Sequence, residues 1–236
     1  MSNPLLKDDV FRSVVRSDGV MTVPGVINKS MVLLVLLAIS AFYSWTHCNI
    51  VTPLVIPITM VAFVLAMIAI FKKASSPFVA PCYAMCEGFI LGSFSLYFEK
   101  LYPGIAVNAI LLTMCVSFSM LAAYKTGLLK VTPKFQKIVI FSTFAIAFVY
   151  MIQFFLNIFG VGDFSYIHNS SGLGLVISFV IVAVAALNLV IDFDLIEYNA
   201  RANVPKYMEW YCAFSLMITL VWLYFEILRL LSKLRK

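Results

Sequence analysis

Six carboxylates stand in or beside long apolar runs: Glu87, Asp192, Asp194, Glu197, Glu209 and Glu226. An ionised side chain is costly in hydrocarbon, so each marks an ion or proton route or a helix end reaching water. Glu87 lies roughly 13 Å into its run at about 1.5 Å per residue. No Lys, Arg or His occupies the centre of any run, so Glu87 is expected to be protonated, hydrogen-bonded or turned to water. Asp192 and Asp194 are two residues apart and face opposite ways on a helix, so both cannot line one pore. Asn188 sits one turn before Asp192 on the same face, which makes Asn188 and Asp192 the candidate lining. Asp194 and Glu197 then reach interfacial water, while Glu209 and Glu226 are secondary acidic candidates. For Glu87 the alternative is a structural carboxyl satisfied by a neighbouring helix. For the Asp192 group it is a solvated helix end beside a basic loop.

The elements that must position these groups are membrane spans. Of 236 residues 63% are hydrophobic and only 12% charged, against roughly 45–50% and about 25% in soluble domains. Apolar segments recur at Met31–Trp45, Val51–Phe71, Phe78–Phe98, Ile105–Tyr124, Ile138–Gly160, Gly172–Ile191 and Tyr207–Leu231. A helix needs roughly twenty residues to cross about 30 Å of hydrocarbon, so the spacing predicts an all-α polytopic protein with seven transmembrane helices. Residues 1–29 read as a polar tail, with Val10, Phe11, Val14 and Val15 spaced like one face of a short surface helix. Residues 30–236 form the transmembrane domain. The first apolar run has no small-residue cleavage site after it and is expected to be a retained helix.

Net charge is +6, from 17 Lys+Arg against 11 Asp+Glu. The basic residues lie between the runs and read as topology determinants, so the lipid bilayer is the expected partner and nucleic acid is not. A cytoplasmic N-terminus places twelve of the seventeen inside. Seven full spans put Arg229, Lys233, Arg235 and Lys236 outside. A re-entrant last segment would return them, but Glu209 to Leu231 holds no Gly or Pro to make the turn.

Enzyme chemistry is not expected. Gly160-Val161-Gly162-Asp163-Phe164 resembles an intramembrane aspartyl protease motif, yet no earlier span carries a partner aspartate. His47 and His168 fall in outer loops, away from any serine or metal site within the spans. Cys82 and Cys86 are one turn apart without a nearby histidine, so no metal site is expected; five cysteines form no disulfide framework.

Several ordered motifs then carry a family resemblance. They are Asn3-Pro4, Met21-Thr22-Val23-Pro24-Gly25, Glu87-Gly88-Phe89-Ile90-Leu91-Gly92, Tyr102-Pro103-Gly104-Ile105, Val131-Thr132-Pro133-Lys134-Phe135, and the stretches Asp192 to Ile196 and Ser215 to Leu231. Over nearly its whole length the chain resembles the transmembrane Bax inhibitor motif family, closest to its bacterial branch. The resemblance implies six helices around a central C-terminal seventh, a bacterial inner membrane location, and a pH-sensitive calcium leak. In relatives two aspartates share a proton as a latch. Asp192 matches the first, and a gapless match along the seventh helix puts Thr219 at the second. An Asp–Thr pair makes a hydrogen bond and does not split a titration as two carboxylates do, so pH gating does not follow. Glu87 is a substitute partner if its helix meets the sixth.

The leading expectation is a passive cation pathway. The oxygens of Glu87, Asn188 and Asp192 are hard ligands suited to transient Ca2+, with no bound cofactor. The competing class is a non-conducting membrane regulator or interaction protein, for example in membrane proteolysis or stress response, using the N-terminal tail as a handle.

Overall fold

A computed structural model describes residues 19–158 and 172–235. Among them the chain is all-α, with seven helices long and apolar enough to cross a membrane. They are α1 (Val23–Thr46), α2 (Cys48–Phe71, entering through a 3-10 turn at Thr52–Leu54), α3 (Ser76–Leu101), α4 (Ile105–Lys125), α5 (Pro133–Ile158), α6 (Gly172–Arg201) and α7 (Met208–Leu234). Large apolar side chains such as Ile56, Phe71, Phe78, Phe141 and Phe144 point outward, as hydrocarbon around the protein permits. The last helix is the most enclosed of the seven.

The boundaries differ from the apolar runs in an instructive way. Helix α6 continues to Arg201, ten residues beyond the hydrophobic edge at Ile191, so Asp192, Asp194 and Glu197 are helical rather than part of a loop. Helix α5 starts at Pro133, before its apolar run, and α1 starts at Val23, inside the segment read as tail. Hydropathy marks where lipid begins; hydrogen bonding and caps mark where the helix begins. Helix α7 is unbroken over 27 residues, which excludes the re-entrant alternative. The surface-helix reading of Val10 to Val15, the 160–164 motif and His168 lie outside the described residues.

Several motif residues are punctuation. Thr22 caps α1, its hydroxyl accepting the Gly25 N–H at 3.1 Å, and Pro24 falls in the first turn, where its missing donor is not needed. Thr132 likewise accepts from Phe135 N–H at 3.2 Å before Pro133 opens α5. Gly104 has φ of 80°, a left-handed conformation that favours glycine. The Glu99 carboxylate accepts from the N–H groups of Gly104 and Ala106, satisfying exposed donors at the start of α4.

The described residues divide into two compact units, one of residues 19–93 and 194–217, the other of 94–158, 172–193 and 218–235. In the first, α1 and α3 approach until backbone meets backbone. A Cβ on Gly88 would collide with Ser40 Oγ and the Leu37 carbonyl, and one on Gly92 with the Ala41 carbonyl. This Gly-xxx-Gly face lets Ser44 donate to the Phe89 carbonyl at 2.9 Å and meet Ser93 Oγ at 2.8 Å. In the second unit Ser95 and Tyr224 share a buried hydrogen bond of 2.7 Å, joining α3 to α7.

Alanine at Gly88 or Gly92 must therefore push the helices apart, since its neighbours are main-chain atoms that cannot swing away. Each substitution should cost about 1–3 kcal/mol, read as a lower thermal midpoint in detergent. Gly172→Ala, which meets open space, serves as the control and should leave the midpoint unchanged.

Candidate functional site

In the second unit the polar residues form stripes. On α7, Thr219, Trp222, Glu226, Arg229 and Lys233 follow spacings of three and four and so share one face. On α6, Ser178, Ile181, Ala185, Asn188 and Asp192 have the same spacing. The two stripes are tied at one end, where the Lys233 ammonium donates to Ser178 Oγ at 2.7 Å and to the Gly174 carbonyl at 3.1 Å. Asp192 lies fourteen residues along α6 from Ser178, and Thr219 fourteen residues back along α7 from Lys233. At about 1.5 Å per residue each lies roughly 21 Å along its own helix from that tie. Both are buried.

Helix α5 adds to these stripes. Thr143 Oγ1 accepts from Asn188 Nδ2 at 2.8 Å, and the same amide donates to the Val184 carbonyl at 2.9 Å. Two turns further along α5, on the same face, the Tyr150 hydroxyl donates to Glu226 Oε1 at 2.8 Å while accepting from Arg229 Nη1 at 2.6 Å. Glu226 is almost fully buried and also accepts from Trp222 Nε1 at 3.3 Å and from Arg229 at 3.3 and 3.4 Å. The Arg229 guanidinium lies over the Tyr150 ring, 5.1 Å from its centre. Glu226 is thus met by four donor contacts, two of them from the Arg229 guanidinium.

The other candidate acids belong to the first unit. Glu87, on α3, is half-buried and hydrogen-bonded to Tyr83 one turn earlier on the same helix. Glu197 pairs with exposed Arg201 at 3.1 Å, an i,i+4 surface contact of small energetic weight, and Asp194 is half-buried. Glu209 opens α7 and is 2% exposed. Its carboxylate accepts from the Thr22 N–H at 2.9 Å, the Thr22 hydroxyl at 3.0 Å and the Lys29 ammonium. Lys29 also lies over the Trp210 ring, 5.6 Å from its centre.

The geometry thus gathers Asn188, Asp192 and Thr219 in one unit and gives Glu209 and Glu226 separate, fully occupied structural settings. It also adds groups that sequence reasoning passed over: Thr143, Tyr150, Arg229 and Lys233. The stripe on α7 was visible as a three-and-four spacing, but Thr143 and Tyr150 carry no such mark, being single polar groups in an apolar helix. Among the described residues no three His, Cys, Asp or Glu side chains converge as a metal site.

Residues 3–236 match the model of the family described as Bax inhibitor 1 like. No curated protein and no solved structure matches the chain.

Removing Arg229 leaves the Glu226 charge buried with only neutral donors. Arg229→Leu should destabilise by about 2–3 kcal/mol, below the roughly 3–5 kcal/mol of a fully buried pair because Arg229 is partly exposed. Denaturation in detergent should show the Glu226→Leu/Arg229→Leu double variant less affected than Arg229→Leu alone.

Proposed function

The chain belongs to the Bax inhibitor 1 like family, and from that premise we propose that this multi-pass membrane protein provides a passive pathway for cations, Ca2+ among them. What supports the reading is that buried Asp192 and Thr219 each lie fourteen residues from the Lys233–Ser178 tie, with Asn188 bonded to Thr143 one turn before Asp192. Carboxylate, amide and hydroxyl oxygens held inside a membrane span are hard ligands that substitute for part of a cation's hydration shell. With one acid in the lining, the site is suited to transit rather than storage.

The proposed orientation has a cytoplasmic N-terminus. The count of inside Lys and Arg favours it, and three of the four cations this leaves outside are engaged by the protein. Arg229 is paired to Glu226, Lys233 is enclosed against α6, and Arg235 donates to the Pro103 carbonyl at 2.7 Å. Cations engaged by the protein act as packing groups more than as topology signals. The pH switch of a shared-proton carboxylate pair is not part of this reading, because Thr219 offers no second titrating group.

Calcium entry into dye-loaded proteoliposomes tests it. Wild type should leak with little dependence between pH 6 and 8, Asp192→Asn should leak several-fold less, and Thr219→Asp should introduce a pH dependence. Glu87→Gln should leave the pH response unchanged. Undiminished entry through Asp192→Asn overturns the assigned lining. Absence of entry in every variant replaces the pathway with a non-conducting regulatory role.

A further inference from the structure

The start of α1 and the turn between α6 and α7 are fastened together within the first unit more tightly than a connection requires. Gly19 to Thr22 runs antiparallel to Val204 to Lys206: Met21 N–H donates to the Val204 carbonyl at 2.9 Å, Lys206 N–H donates to the Gly19 carbonyl at 3.2 Å, and Val20 bridges Pro205. Gly19 has φ of 77°, which favours glycine. Beside this strap the buried Glu209 carboxylate takes both the amide and the hydroxyl of Thr22, together with the Lys29 ammonium. Gly25 completes the fit, since a Cβ there would occupy the space of the Glu209 carboxylate itself. One acid on α7 thus holds the cap, the first turn and a lysine of α1.

We propose that this assembly is a releasable clasp that holds the start of α7 in its low-conductance position, so that loosening it raises cation leak. The proposal rests on the pathway reading above. The mechanical argument is continuity: α7 is unbroken, and Thr219 lies ten residues beyond Glu209, about 15 Å along the same helix. In this proposal a change at Glu209 acts on Thr219 through α7 itself. The clasp is also built to be broken in one step. Its strap is a single bridge of two main-chain bonds, far short of a stable sheet, and its remaining hold converges on a single carboxylate.

Two variants loosen it by different means: Glu209→Gln removes the charge that holds Lys29, and Gly25→Ala displaces the carboxylate sterically. A third, Val20→Cys/Pro205→Cys, closes the strap with a reducible disulfide, the bridged pair being adjacent across an antiparallel contact. Calcium entry into proteoliposomes and hydrogen exchange at the Thr22 amide are read together, with Thr219→Asp as a conduction control. Glu209→Gln and Gly25→Ala should each speed Thr22 exchange and raise entry at least about threefold. Oxidising the cysteine pair in the Glu209→Gln background should return entry to the wild-type level, and reduction should release it again, which a merely misfolded variant would not do. Faster Thr22 exchange with unchanged entry, while Thr219→Asp conducts, overturns the clasp alone. Entry in no protein, Thr219→Asp included, removes the pathway reading and the clasp's effect on it together.

Discussion

Hydrocarbon does not hydrate polar groups, and that constraint organises this molecule. Each amide, hydroxyl or charge placed within a span must find its partner in protein, because lipid offers none. The partners are found on helix faces: hydroxyls of α1 bond back to their own or neighbouring carbonyls, Asn188 turns to Thr143, and Glu226 collects Tyr150, Trp222 and Arg229. The outward surfaces are left to Phe, Ile, Leu, Val and Met. What distinguishes one helix from another is therefore its inventory of polar residues rather than its hydrophobicity, and α7 carries the richest stripe.

Two kinds of buried acid follow from the same constraint. Glu209 and Glu226 each meet a cation and several donors, so their charges are neutralised in place and they serve as fasteners between helices. Asp192 differs in its placement, on the α6 stripe that also carries Asn188, the residue that donates to Thr143.

Much of the fold was legible in the chain. Seven apolar runs gave seven helices, and the absence of Gly or Pro from Glu209 to Leu231 correctly indicated an unbroken last span. The motif residues Thr22, Pro24, Gly104, Thr132 and Pro133 acquire a local reason as caps and turns, while Gly88 and Gly92 acquire theirs as contact surfaces. Helix ends were less legible, because α6 runs past the hydrophobic edge on the strength of its hydrogen bonds, carrying Asp192, Asp194 and Glu197 with it. The partners of Glu226 and Glu209 were not legible: Tyr150 lies 76 positions from Glu226 and Lys29 lies 180 from Glu209. Charge counting also assigned Lys233 to a tail, whereas a long aliphatic stem lets a lysine bury against a neighbouring helix while its ammonium reaches a carbonyl and a hydroxyl.

The absence of a second acid gives the departure at Thr219 its physical meaning. Both stripes step by three and four from the tie between Lys233 and Ser178. A hydroxyl can donate a hydrogen bond but does not titrate, so with Thr219 the two stripes hold no carboxylate besides Glu226 with which Asp192 could share a proton.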